Sequence, residues 1–165
     1  MQQKLFGLLG ACIVTLGQVA QAAHPTLLDD QFHLPRGFHI YKAAESNLSQ
    51  GSYVLTFDGS GDLLVGTGKT IRRLSDENHD GVYDAAVDIV GGLGPRGPQG
   101  ILVHDDNLYA VGGDGVQHYT GYPDNIVHQG RLGSAFNTGG DHAAHTLLRG
   151  HDDWIYLVTG DGGGT

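Results

Sequence analysis

The sequence is short of cysteine and of positive charge. Its 165 residues include one cysteine, Cys12, and 9 Lys and Arg residues against 18 Asp and Glu, for a net charge of −9. One cysteine excludes a disulfide framework within the chain, and it excludes the Cys-x-x-Cys-His motif of covalent haem, so no haem is expected here. The acidic balance argues against a nucleic-acid partner, because phosphate backbones are bound by clustered cations.

Long amphipathic helices and a disordered composition are missing as well. No segment offers an uninterrupted amphipathic pattern of about ten residues or more. The chain is 39% hydrophobic and only 16% charged, which is not the composition of a disordered protein. Its 28 glycines follow no three-residue period, which excludes collagen. The composition therefore indicates a globular protein with many turns.

Residues 1–22 have the pattern of a secretory signal peptide. Lys4 is the only charge before an apolar run that starts at Leu5, and Ala20-Gln21-Ala22 offers a small-x-small cleavage site. The run is short for a membrane span. A membrane anchor and lipoprotein processing at Cys12 are the alternatives. We expect cleavage after Ala22 and a periplasmic or secreted protein whose mature chain has no cysteine and no membrane span.

After a lead-in at 23–52, residues 53–165 repeat one pattern. Each unit has an apolar strand, an Asp-rich tight turn and a second apolar strand, at 54–65, 100–111 and 145–158. Leu63, Leu108 and Ile155 hold the same place in successive units, 45 and 47 residues apart. In the first unit, 70–74 and 86–90 read as two further strands.

This period, with several strands in each unit, predicts an all-β fold and specifically a β-propeller. An unrelated β-sandwich is the alternative. About three blades are present, which are too few to close a ring. The sequence also stops in a turn-like run at 160–165. We therefore expect that it is the N-terminal part of a longer protein, with no activity of its own unless it assembles with other chains.

The segment 139–145 is the first candidate site. It places Asp141 beside His142, with His145 three residues on, among small residues that leave room for a large flat ligand. Histidine suits general-base chemistry because it titrates near neutral pH, and a neighbouring Asp can orient the ring. Two alternatives are ordinary loop histidines and a zinc site, although residues three apart on a strand point to opposite faces.

The segment 94–100, one repeat earlier, is the second candidate. Arg96 offers a guanidinium fork for an anion, and Gln99 can both donate and accept hydrogen bonds. Because this segment lies one repeat before Asp141 and His142, its side chains are expected to face the same axial site as the 139–145 segment, with Arg96, Gln99 and His145 as candidates to bind substrate or cofactor. A loop fixed by two prolines is the alternative.

The segment 76–84 resembles the start of a calcium-binding loop. Its oxygen-bearing residues stand at positions one, three, five and nine, with Gly81 at position six. Val87 stands where an EF-hand has its bidentate Glu, and a solvated hairpin turn is the alternative. The candidate calcium ligands are Asp76, Asn78, Asp80 and Asp84.

The order of these segments resembles the periplasmic glucose/sorbosone dehydrogenase family. Its members are six-bladed propellers that use pyrroloquinoline quinone, and the chain would correspond to about the first half of one. The resemblance extends to a related branch of membrane-bound dehydrogenase-like proteins that often have a fused haem domain. The matching residues are 32–38, 55–58 with 61–63, 76–84, 99–102, 141–142, Leu147, Gly150, Asp152, 155–156 and 160–161.

The resemblance implies an oxidoreductase and assigns roles to residues. His142 would take the proton of a sugar hydroxyl, Asp141 would be its neighbour and Gln99 would line the substrate site. Hydride would pass to the quinone, with a cytochrome or another quinone as electron acceptor. Residues 143–146 differ from the larger polar residues and the Arg of the glucose enzymes, so the resemblance leaves open which sugar or polyol is the substrate. A non-catalytic propeller that binds a glycan or a protein partner is the alternative.

Overall fold

The structure is a computed structural model that describes residues 26–94, 96–140 and 142–162. The signal peptide predicted at 1–22 lies outside these residues, and so does Asp141. Within them the chain forms three antiparallel sheets in sequence order, which confirms the predicted all-β class. None of the helices in the described ranges is long and apolar enough to cross a membrane.

The first two sheets each have four strands that pair with their neighbours in chain order, and the third is a hairpin. A short helix, α1, precedes them. The elements are α1 (Ser46–Ser49); β1 (Val54–Phe57), β2 (Leu63–Gly66), β3 (Ile71–Ser75) and β4 (Ala85–Val90) in the first sheet; β5 (Gly100–His104), β6 (Asn107–Gly112), β7 (Gly115–Thr120) and β8 (Val127–Leu132) in the second sheet; and β9 (Ala144–Arg149) and β10 (Ile155–Thr159) in the hairpin.

The strands predicted from the sequence agree with the structure to within one residue at each end. The turns explain this agreement, since they are built locally. After β1, one carboxylate oxygen of Asp58 accepts hydrogen bonds from the amides of Ser60 and Asp62, both at 2.9 Å. An Asp that bonds backbone amides two and four residues on closes a tight turn without help from the rest of the fold.

The sheets pack against each other in the order of the chain. Leu64 and Ile71 of the first sheet are fully buried against Ile101 and Leu108 of the second. A second cluster joins the second sheet to the hairpin through Val111, Val116, Ala144 and Leu147. The first strands of the three sheets, β1, β5 and β9, lie in contact, β1 with β5 and β5 with β9.

We call the side of each sheet that is turned toward the next sheet along the chain its front face, and the other side its back face. One cross-strand pair next to the first turn is equivalent in the three sheets, and it lies on the back face of each. The three pairs are Phe57 with Leu63, Val103 with Leu108, and Arg149 with Ile155. The backs of the second sheet and the hairpin are covered by the preceding sheet. On the back of the first sheet, Ala44, Leu48 and Tyr83 cover Leu63, Val65 and Leu74.

One side-chain hydrogen bond also joins the first sheet to the second. The Tyr122 hydroxyl, just beyond β7, donates to the second carboxylate oxygen of Asp58 at 2.5 Å. The turn carboxylate of one unit therefore holds the outer end of the next.

Candidate functional site

A depression of about 290 Å³ lies where the first strands of the three sheets begin. We call it the first-strand depression. Its lining consists of Tyr53, Arg96, Gln99, Gly140 and His145. Three residues that the sequence predicted as ligand-binding, Arg96, Gln99 and His145, are therefore brought together.

Two of the lining residues, Tyr53 and Gln99, hold the same place in successive units, and His145 lies one place further on, because it pairs with Val158 as Gly100 pairs with Val111. Tyr53 directly precedes β1, Gln99 directly precedes β5, and His145 is the second residue of β9. The backbone amide of Tyr53 donates to the carbonyl of Gly66 at 2.9 Å, and that of Gln99 donates to the equivalent carbonyl of Val111 at 2.8 Å. Tyr53, which the sequence reasoning missed, is therefore identifiable from its place in the repeat, one unit before Gln99.

Gln99 is fixed by the hairpin and by its own loop. Its carbonyl accepts a hydrogen bond from the amide of Thr146 at 3.2 Å, and its side-chain amide donates to the carbonyl of Arg96 at 3.1 Å. The first bond holds the floor of the depression to β9. The second folds the 96–99 loop over the start of β5, so that Arg96 and Gln99 are positioned as one unit.

A β-bulge shapes the histidine side of the depression. Leu147 pairs with Leu157, but the next pair is His145 with Val158, so Thr146 is an extra residue in β9. Thr146 has φ of +42°, an unusual conformation for a β-branched residue. Bulges re-aim side chains next to functional sites, and this one separates His145 from the regular alternation of the strand.

Gly100 permits the bulge to approach β5. A Cβ at this position would lie 2.9 Å from the amide nitrogen of Thr146 and 3.0 Å from that of Leu147. Because both atoms are backbone, no rotamer change could relieve the clash. The absence of a side chain at Gly100 is therefore a condition for the geometry of the depression.

His142 lies outside the lining of the depression, in the turn before β9. Its Nδ1 is 3.1 Å from a carboxylate oxygen of Asp161, and both side chains are largely exposed. Its carbonyl accepts a hydrogen bond from the amide of Gly162 at 2.8 Å, and a Cβ on Gly160 would lie 2.7 Å from that carbonyl. The carboxylate next to the His142 ring in the structure is that of Asp161. Sequence reasoning missed it, because it is 19 positions further along the chain.

The 76–84 loop is a self-contained turn. The two carboxylate oxygens of Asp76 accept hydrogen bonds from the amides of Asp80 and Gly81, at 3.1 and 2.8 Å. Asn78 accepts a second bond from the Asp80 amide at 3.0 Å, and Asp84 accepts one from Glu77 at 3.2 Å. Among the residues that the structure describes, no group of three or more His, Cys, Asp or Glu is arranged to hold a metal ion. Calcium binding here stays a prediction.

The electrostatic potential around this loop is nonetheless negative. Asp62, Asp76 and Tyr83 line a small depression of about 210 Å³ beside it. Burial, and then the charges of Asp62 and Asp76, raise the pKa of Tyr83. Burial, and then the charge of Asp58, raise the pKa of Asp62. A positive charge in this depression would lower the electrostatic cost of holding these negatively charged groups close together.

Comparison of the chain with protein-family models, with curated proteins and with solved structures gives no match. The resemblance to the glucose/sorbosone dehydrogenases therefore rests on the residues quoted above.

Proposed function

We propose that this chain forms the substrate-binding side of an exported sugar or polyol dehydrogenase built as a β-propeller. The observation behind the proposal is the first-strand depression, where Arg96, Gln99 and His145 meet. The propeller is supported by the sequence repeat and by sheets that pack front to back in chain order. Propellers use the region around their first strands, near the central axis, to bind ligands.

The lining suits a small hydroxylated ligand. A guanidinium donates only, whereas an amide, an imidazole and a phenol can together donate and accept. A sugar hydroxyl does both at once, so it can use each of these groups in Arg96, Gln99, His145 and Tyr53. The volume of about 290 Å³ is near the lower limit for small-molecule sites, as a monosaccharide or a short polyol requires.

The depression does not fit pyrroloquinoline quinone by itself. This cofactor is flat and has several carboxylates, while the described lining contributes one cation, Arg96. Buried carboxylates need cationic or hydrogen-bonding partners. We therefore assign the depression to the substrate, and any quinone site of the enzyme needs cations that the described residues do not supply.

Two imidazoles are candidates to accept the hydroxyl proton. The resemblance assigns this role to His142, which the Asp161 carboxylate holds at 3.1 Å. His145 lines the depression itself. Neutral imidazole is an effective base near pH 7, so either ring can take the proton once substrate is within hydrogen-bond reach.

Titration calorimetry with D-glucose, D-xylose and glycerol tests the binding part of this proposal. We expect Gln99→Ala and His145→Ala each to weaken binding of the preferred ligand at least about tenfold, or about 1.4 kcal/mol. His151→Ala, at an exposed histidine in the turn between β9 and β10, is the matched control and should bind like wild type. No binding by wild type, or equal binding by all variants, would overturn the assignment.

The dehydrogenase part needs a separate measurement. Dye-linked oxidation of the bound sugar by the complete protein, with calcium and pyrroloquinoline quinone added, is expected to fall in His142→Ala or in His145→Ala, which identifies the base. Sugar binding without any oxidation would favour the second candidate function, a non-catalytic propeller that binds a glycan. The incomplete set of cations around the depression is the observation that supports this second candidate.

A further inference from the structure

The chain leaves one apolar strip uncovered at its first sheet. Strand pairing gives Leu55 and Ile101 the same place in the repeat, since Leu55 opposes Val65 and Ile101 opposes Ala110. Ile101 is 4% exposed because the first sheet covers it, whereas Leu55 is 60% exposed. Phe57, equivalent to Val103, is also 60% exposed. The back face of β1 is thus an apolar surface without a neighbour among the described residues.

The hairpin leaves the opposite face uncovered. Leu148 opposes Tyr156 as Leu102 opposes Tyr109, so these pairs are equivalent and lie on front faces. Leu102 and Tyr109 pack against the hairpin. Leu148 is 62% exposed, and Tyr156 and Val158 are exposed beside it.

These two surfaces are the two halves of an interface that the chain already forms twice. The front of the first sheet packs on the back of the second, and the front of the second packs on the back of the hairpin. The remaining front, on β9 and β10, and the remaining back, on β1, are both apolar. Within residues 26–162 as described, neither surface has the partner that its equivalents have.

We propose that two copies of this chain associate head to tail, with the hairpin front of each copy packed on the β1 back of the other. Two copies related by a twofold axis make this contact twice, once in each direction, and so close a ring. A second copy is the occupant that these surfaces favour, because the same chain presents both complementary surfaces and the contact continues its internal packing. The proposal depends on the sheet packing and is independent of sugar binding.

The N-terminal lead-in limits where this contact can form. Ala44, Leu48 and Tyr83 already cover the back face at β2 and β3, which leaves β1 open. The internal contacts also centre on the first strands, since β5 touches β1 and β2 on one side and β9 on the other. The open strip is therefore in the part of the sheet that the internal interfaces use most.

Size-exclusion chromatography with light scattering tests the proposal on the full chain at micromolar concentration. We expect a dimer for wild type and monomers for Leu55→Glu and Leu148→Glu, because each places an unpaired carboxylate in the apolar contact. Val127→Glu is the control: Val127 is a strand residue on β8 that is 56% exposed and belongs to neither surface. It should remain a dimer. Circular dichroism of each variant verifies that the strands are retained.

Mixing the two charged variants distinguishes head-to-tail contact from other pairings. In Leu55→Glu the hairpin front is unchanged, and in Leu148→Glu the β1 back is unchanged. An equimolar mixture should therefore form a dimer through the one contact that both unchanged surfaces can make, with weaker affinity than wild type. A mixture that stays monomeric would mean that like faces pair. A folded, monomeric wild type would mean that another segment or partner covers these faces. Either result overturns the proposal.

Discussion

The second sheet and the β9–β10 hairpin begin with the same strand–turn–strand unit but differ in what covers them. In the second sheet, Ile101 and Leu108 face the first sheet while Leu102 and Tyr109 face the hairpin. In the hairpin, Leu147 is buried on one face and Leu148 is 62% exposed on the other. Because both units have apolar residues on both faces, burial here is decided by the neighbouring sheet and not by the strand itself. A unit of this kind is stable only when it is sandwiched.

The largest effect is expected from a substitution that creates a cavity between the first and second sheets. Leu108 is fully buried where the first and second sheets meet. Leu108→Ala should lower the free energy of unfolding by about 2–5 kcal/mol, the usual loss for a buried Leu→Ala change. Urea unfolding followed by fluorescence of Trp154 measures this loss.

Val127→Ala provides the matched control for that measurement. Val127 is also a strand residue of the second sheet, but it is 56% exposed. We expect a change within about 0.5 kcal/mol. Similar losses for the two variants would mean that contact between the sheets is not what stabilises the second sheet.

A smaller effect is expected where the second sheet meets the bulge of the hairpin. Gly100→Ala places a Cβ about 3 Å from backbone atoms of Thr146 and Leu147, and such overpacking costs about 1–3 kcal/mol. It should also weaken the hydrogen bond from the Thr146 amide to the Gln99 carbonyl, which faster hydrogen exchange at Thr146 would report. In the control, Gly68→Ala, the added Cβ meets nothing within 4 Å. Unchanged exchange at Thr146 in Gly100→Ala would contradict this account of the bulge.

The sequence was sufficient to predict what depends on short segments. The strands are bounded by turns such as that of Asp58, whose hydrogen bonds reach only two and four residues ahead. The repeat also predicted one site for the 94–100 and 139–145 segments, and Arg96, Gln99 and His145 do line one depression, while His142 lies outside its lining. β8 was not predicted, because Val127–Leu132 is largely polar and mostly exposed, and its pairing with β7 is what makes it a strand.

The remaining features of the candidate site depend on contacts between distant segments. The bulge at Thr146 exists because β10 pairs with β9 in a shifted register and Gly100 leaves space beside it. The His142–Asp161 pair forms because the end of the hairpin returns to its start. Neither feature has a local pattern in the sequence, so a single sequence cannot reveal them.

The smallest expected effect concerns the hydrogen bond between the Tyr122 hydroxyl and Asp58, which links the second sheet to the first. Burial raises the pKa of Asp58, but bonds from Tyr122, Ser60 and Asp62 outweigh it and hold this pKa below its usual 3.8. A carboxylate with a lowered folded-state pKa contributes stability that is present above pH 3.8 and is lost as the pH falls through the folded-state value. Tyr122→Phe should therefore cost about 1 kcal/mol at pH 7, since Asp58 is partly exposed.

The same substitution should cost less as the pH falls below 3.8 and through the folded-state pKa of Asp58, because the carboxylate is then protonated and the charged bond is lost. Urea unfolding at pH 7 and at pH 3 measures the difference between wild type and Tyr122→Phe at each pH. Tyr119→Phe, at an equally buried phenol in the same sheet, should show no comparable pH dependence. A Tyr122→Phe penalty that is the same at both pH values would show that the phenol acts through packing alone. The carboxylate of the first turn would then not hold the two sheets together.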